Sequence, residues 1–124
     1  MGIEADTTSG IQSVLAEAWA ISKGVAVPKT DAIVMKNGGR RVDATYVYAD
    51  LAESTWLAQN IKDEIAGKVI RVYLNAAARL LRHFEGEIRS FDGDRVMAIF
   101  MGKSKNTDAV RAAFAICGTV RRTV

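Results

Sequence analysis

Apolar residues recur along the chain in two rhythms, one helical and one extended. Ile11, Val14, Leu15, Ala18 and Trp19 follow the i, i+3, i+4, i+7, i+8 spacing of a helix face. Ser9 with Gln12 resembles a capping box and Gly24 suits the C′ position, so the pattern predicts a helix over Ser9–Gly24. Its apolar face is expected to pack on the rest of the chain or on a second copy. Pro28 makes Val25–Pro28 extended, and Asn37, Gly38 and Gly39 mark a turn. Residues 1–41 therefore read as an N-terminal helix and extended linker, ahead of a domain over residues 42–124.

From Val42 to Ala49 the run VDATYVYA is rich in strand formers and shows little alternation, which predicts a central strand covered on both faces. Alternate side chains of a strand share a face, so Tyr46, Tyr48 and Asp50 point the same way. Helix signals resume at Glu53, Ser54 and Thr55. Asp50 to Thr55 is then a strand-to-helix turn whose free backbone N–H groups can meet an anion.

A long helix is expected over Lys62–Phe84, capped by Asp63. Ile65, Val69, Val72, Tyr73, Ala76, Leu80 and Phe84 would face inward, and Lys68, Arg71, Asn75, Arg79 and Arg82 outward to solvent. Glu87–Phe91 and Arg95–Phe100 flank Asp92-Gly93-Asp94, a strong hairpin signal that sets Asp94 at or just past the tip. A final helix over Asn106–Arg121, with Asn106 as cap, would turn Val110, Phe114, Cys117 and Val120 inward.

Composition narrows the classes. The chain has 124 residues, 49% hydrophobic and 25% charged, enough for the core of a globular domain. No apolar run approaches the ~20 residues of a membrane span, and the N-terminus, with Glu4 and Asp6, lacks a signal-peptide pattern, so a cytoplasmic location with no membrane partner is expected. The net charge of +3 comes with no basic run interleaved with aromatics, which argues against nucleic acid as a partner. The single Cys117 reads as a small core residue. His83, the one histidine, reads as a helix-end residue, since no second His or Cys offers a ligand set.

The candidate chemistry lies in two carboxylates. A strand running into Asp50 and a hairpin tip bearing Asp94 can hold two divalent cations about 3.5–4 Å apart for phosphoryl chemistry. Aspartate is also ordinary in turns, so Asp92 and Asp94 alone say little. Asp50 is harder to dismiss, because a carboxylate directly after so apolar a strand is costly unless paired, solvated or metal-bound. A phosphoacceptor receiver domain also puts Asp at a strand end, but it needs an acidic pair near an early strand that this sequence lacks.

With these residues in place, YVYADLAEST resembles the first metal motif of class III nucleotidyl cyclases, and GEIRSFDGDRVMAIF resembles the second. The likeness covers roughly Asp43 to the C-terminus. It implies an α/β, ferredoxin-like palm in which Asp50, Leu51 and Asp94 hold two Mg²⁺ or Mn²⁺ ions. Ala52, Glu53, Ser54 and Thr55 would seat the triphosphate. The base-selecting hairpin position, Lys or Glu in the purine enzymes, is Ser90 here, which supplies neither charge-assisted contact.

Tyr48 and Arg95 also depart from the common family residues and are placed to read a base; an Arg donates well to a pyrimidine carbonyl. Core packing and a solvated hairpin arm are the plainer readings of these two. The texture around both motifs is similar to the pyrimidine cyclases of bacterial Pycsar anti-phage systems. That resemblance implies cyclic UMP or cyclic CMP made from UTP or CTP, a homodimer sharing its sites, and a product acting on a separate effector protein. Adenylate cyclisation in signalling, and a non-catalytic cyclase-like module for dimerisation or nucleotide binding, are the alternatives. The family's later Asn and Arg have no counterpart before Val124. The sequence is therefore expected to be the first half of such a domain and inactive alone.

Overall fold

The computed structural model describes residues 2–29, 33 and 37–123. The chain forms two compact units, Met1–Val42 and Asp43–Val124. In the first, helix α1 spans Ile3–Ala16, and strands β1 (Ala20–Lys23) and β2 (Gly38–Arg41) pair in parallel, Ala20 with Gly38 through Lys23 with Arg41. The helix thus begins at Ile3 rather than Ser9 and stops before Trp19. Glu4 and Asp6 favour its first turn through the helix dipole, and no side chain caps it, so the Ser9–Gln12 box is not used.

Beyond Ala16 a strand ladder replaces the helical rhythm. Ala20 N–H donates to the Asn37 carbonyl (2.7 Å), and Asn37 Nδ2 donates to the Ala18 carbonyl (3.1 Å). Only Asn37 keeps the expected turn. Gly38 and Gly39 lie in β2, where a Cβ on Gly39 would come within 2.7 Å of Ile21 Cδ1. Val25–Pro28 is neither helix nor strand, and it bends at Val25 and Ala26 instead of running extended throughout; residues 30–36, except for Ile33, lie outside the described residues.

The second unit runs β3 (Ala44–Asp50), α2 (Ser54–Asn60), α3 (Asp63–His83), β4 (Glu87–Asp92), β5 (Arg95–Met101) and α4 (Lys105–Thr123). Its antiparallel sheet has the order β3-β5-β4, and α3 and α4 cover one face, giving the expected α/β palm. Val96, Ala98 and Phe100 of β5 alternate inward and join Ala49, Tyr73, Ala77, Leu81, Ala109, Ala112 and Ile116 in the core. Among the described residues no helix is long and apolar enough to cross a membrane.

Two expectations about helix faces hold only in part, and for one reason: alanine is a weak apolar signal, and it is what the closest packing selects, although Tyr73, Leu80 and Phe84 of α3 do turn to the core. On α3 the buried stripe is Ala66, Tyr73, Ala77, Ala78 and Leu81, while Ile65 and Val72 are half exposed. On α4 it is Ala109, Ala112 and Ile116; Phe114 is 75% exposed, and Val110 and Cys117 face solvent, although Val120 does pack against the core. Small side chains let both helices approach the sheet, and the bulky ones turn outward.

Strand β3 differs as well: among the described residues it is an edge strand covered on one face, with Val47 and Ala49 inward and Tyr46 and Tyr48 exposed. Tyrosine reads as apolar yet tolerates water at its hydroxyl, which masked the alternation. The expected caps differ too. Asp63 is the first residue of α3 rather than its cap, and Asn106 lies inside α4, its Oδ1 accepting a hydrogen bond from the Thr45 hydroxyl.

Helix α3 ends in a Schellman turn: Gly86 N–H donates to the Leu81 carbonyl (2.8 Å) and Glu85 N–H to that of Arg82 (3.0 Å). A Cβ at Gly86 would meet Phe100 Cζ at 2.6 Å and the Leu81 carbonyl oxygen at 2.9 Å. Because part of that clash is backbone, Gly86→Ala is expected to destabilise the domain by about 1–3 kcal/mol, read as a lowered urea midpoint at unchanged m-value.

Candidate active site

Antiparallel pairing fixes which side chains share the helix-free face of the sheet. Tyr48 pairs with Met97 and Asp50 with Arg95, so these four lie on that face in two adjacent rows. On the other side of β5 the pairing shifts register between Ile88 and Ser90, leaving Arg89 as a bulge. The bulge reverses the alternation of β4, so that Ser90 pairs with Met97 and Asp92 with Arg95. One row is therefore Tyr48–Met97–Ser90, and the next is Asp50–Arg95–Asp92. Without the extra residue, Ser90 would fall on the helix side.

Asp94 enters from the end of the sheet. The two-residue turn Gly93-Asp94 joins β4 to β5, with Gly93 at φ 61°, a left-handed conformation that glycine adopts without strain. The turn is tied to β3 by Leu51 N–H donating to the Asp94 carbonyl (3.2 Å). This brings the two aspartate side chains into hydrogen-bond contact. The hydrogen bond with Asp94 holds the Asp50 carboxyl above the usual carboxylate range, with slight desolvation and the Asp94 charge adding. Asp94 is held below its usual value, chiefly by the Ser54 hydroxyl donating to it. The pair thus takes its first proton on Asp50, as like charges in contact require. Asp50 is exposed, because it sits at the strand's last residue on the open face, so the cost of a carboxylate after an apolar strand is met by solvent.

Between the carboxylates and α2 the chain makes a tight turn through Leu51, Ala52 and Glu53. Glu53 is left-handed (φ 59°, ψ 31°), a strained conformation for a residue with a Cβ, and its carbonyl accepts from Leu57 N–H (3.0 Å). The N–H groups of the first turn, Ser54 and Thr55 among them, are left for other partners.

Arg95 and Tyr48 complete the cluster. Arg95 Nη2 pairs with Asp92 Oδ2 at 3.1 Å, and its guanidinium carbon stands 5.9 Å from the Tyr48 ring centroid. Asp92 raises the Arg95 pKa most, with smaller contributions from Asp50 and Asp94. Behind the sheet, burial pushes the Tyr73 phenol up, and the charges of Asp50, Cys117 and Asp94 add to it. Among the described residues no three His, Cys, Asp or Glu side chains converge, so the pair stands as two carboxylates with nearby carbonyls and hydroxyls.

All the sequence-predicted residues, Tyr48, Asp50–Thr55, Ser90, Asp94 and Arg95, fall at this end of the sheet. Met97 and Asp92 belong to the same rows and were missed as site residues. The strand period counted from Arg95 places Met97 on its face; the bulge that brings Ser90 and Asp92 there has no signal in the sequence.

No protein-family model matches the chain. It is similar to curated proteins named uridylate cyclase: 36% identical to one from Rhodovulum sp. (strain MB263) over all of this chain and 52% of that protein. It is 37% identical to one from Xanthomonas perforans over 94% of this chain and 51% of that protein. The relative from Burkholderia cepacia is 32% identical over 97% of this chain and 53% of its own. The chain therefore spans about half the length of the curated relatives it matches. In fold it is similar to the adenylyl cyclase CyaB from P. aeruginosa, with TM-score 0.59 and 23% identity over 63% of this chain and 43% of that one. A bacterial light-regulated adenylyl cyclase gives 0.60 and 20% identity over 64% and 41%.

Proposed function

We propose that this chain, alike in sequence to uridylate cyclases and in fold to class III adenylyl cyclases, supplies the carboxylate half of a nucleotidyl cyclase site that converts UTP to 3′,5′-cyclic UMP and pyrophosphate. The observation that carries the reading is the contact between Asp50 and Asp94, brought from a strand end and a hairpin turn onto one edge of the palm. Two adjacent carboxylates, of which Asp50 holds its proton above the usual carboxylate range, fit divalent cations: Asp50, Asp94 and the Leu51 carbonyl are hard oxygen donors of the kind Mg²⁺ and Mn²⁺ prefer. When bound, such ions activate the attacking oxygen and neutralise the triphosphate.

The chain's own residues do the rest. In the proposed reaction the ribose 3′ oxygen forms a bond to the α-phosphorus, the bond to the leaving oxygen breaks in line, pyrophosphate departs, and the 3′ proton passes to solvent. The turn from Leu51 to Thr55 offers N–H groups and hydroxyls to the phosphates. Ser54, which donates to Asp94, fixes the orientation of that carboxylate. Tyr48, Met97 and Ser90 form the floor on which the base lies, and Arg95 donates to a pyrimidine carbonyl. The half-exposed apolar side chains of the open face, with Tyr46 and Tyr48 the most exposed, suit a second copy closing over the site. By the same resemblance, the product acts on a separate effector in anti-phage defence.

With the intact native protein, UTP and Mn²⁺, the expected result is pyrophosphate release that stops when a chelator is added; orthophosphate release instead would mean hydrolysis and contradict the reading. A cation must also compete with the proton that Asp50 retains. Mn²⁺ affinity is therefore expected to fall on acidification, beginning above the usual carboxylate range, as binding titrations at several pH values will report.

A further inference from the structure

Asp92 has no part in the reading so far, and the turn does not need it: the turn residues are Gly93 and Asp94, and Asp92 is the last residue of β4. Its side chain is 77% exposed and pairs directly with Arg95. Arg95 in turn has three carboxylates about it. Asp50 is its cross-strand partner on β3, Asp94 precedes it in the chain, and Asp92 is its partner on β4. One guanidinium cannot satisfy all three, and the carboxylate it sits against decides the charge left for a cation at Asp50 and Asp94. Arginine favours a two-pronged grip on carboxylates. With Asp92 neutral, the acids left within its reach are the Asp50–Asp94 pair.

We propose that Asp92 is a positioning residue of the active site: it holds the Arg95 guanidinium beside the Tyr48 ring and away from Asp50 and Asp94, which leaves those carboxylates open to divalent cations. The proposal rests on the reading of Asp50 and Asp94 as the metal-holding pair. It makes Arg95 a cation with two stations, one facing the base and one blocking the metal, with Asp92 selecting the first. Because the Asp92–Arg95 pair is exposed, the bias is modest and weakens as salt screens it.

The test is Mn²⁺ binding, followed by the paramagnetic resonance of the free ion, in the wild-type protein, Asp50→Ala, Asp92→Asn, Asp92→Ser and the double variant Asp92→Asn/Arg95→Gln. Asp92→Asn and Asp92→Ser are each expected to weaken Mn²⁺ binding by about five-fold at low salt, and the double variant to restore it. Circular dichroism verifies that the exposed substitutions leave the fold intact. Unchanged affinity in both Asp92 variants, with loss in Asp50→Ala, overturns the role of Asp92 and leaves the carboxylate reading standing. Weakening that persists in the double variant overturns it as well, since the effect then does not pass through Arg95. Equal binding by the wild type and Asp50→Ala overturns both.

Discussion

Asp50→Ala and Asp94→Ala are each expected to lower the proposed cyclisation by the intact native protein on the order of 1,000-fold with Mn²⁺ or Mg²⁺, while leaving it folded. The expected size follows from what each carboxylate does: it is half of the anionic pair that would hold the cations, and no third acid converges there among the described residues to take its place. The fold survives because Asp50 is exposed and Asp94 sits in a turn, outside the core formed by Ala49, Leu81, Val96, Phe100 and Ile116. Removing an exposed side chain shifts stability by only about 0.5 kcal/mol. Steady-state rates set beside thermal unfolding separate the two effects. Retained turnover in either variant would remove the metal role from that residue.

Arg95→Ala is expected to lower kcat/KM for UTP by about 10–100-fold, the worth of one charge-assisted hydrogen bond, and to narrow the preference for UTP over ATP. The guanidinium beside the Tyr48 ring is the only cation in the two rows that carry Tyr48, Met97, Ser90, Asp50 and Asp92. Ser90 offers only a hydroxyl, so in the proposed site the discrimination would fall on Arg95. Competition assays with mixed nucleotides check the preference, and unchanged selectivity would assign Arg95 to the hairpin surface alone.

The placement of the candidate site residues was more legible in the sequence than the core was. Asp50 and Asp94 could be found because strand-ending and turn signals are local: TYVYAD needs no partner to read as a strand running into an acid, and Gly93 marks the hairpin by the conformation it permits. Facing on a helix depends on what the neighbouring sheet leaves room for. Ala66, Ala77, Ala109 and Ala112 carry little hydrophobic signal yet let α3 and α4 settle close to β5, and that choice turned Phe114 and Cys117 outward against expectation. The first helix misled for a related reason, since the helical spacing of Ala18 and Trp19 is silent about the distant partner, and the hydrogen bonds of Asn37 with Ala18 and Ala20 set the strand that follows Trp19. The bulge at Arg89 is of the same kind: one extra residue in the ladder, silent in the sequence, determines that Ser90 and Asp92 share a face with Tyr48 and Arg95.

The proposed chemistry predicts a product that can be identified directly. The intact native protein, incubated with Mn²⁺ and each of the four nucleoside triphosphates in turn, should yield 3′,5′-cyclic UMP from UTP as its dominant cyclic product by mass spectrometry. Cyclic AMP as the dominant product, or no cyclic nucleotide from any of the four, would contradict it.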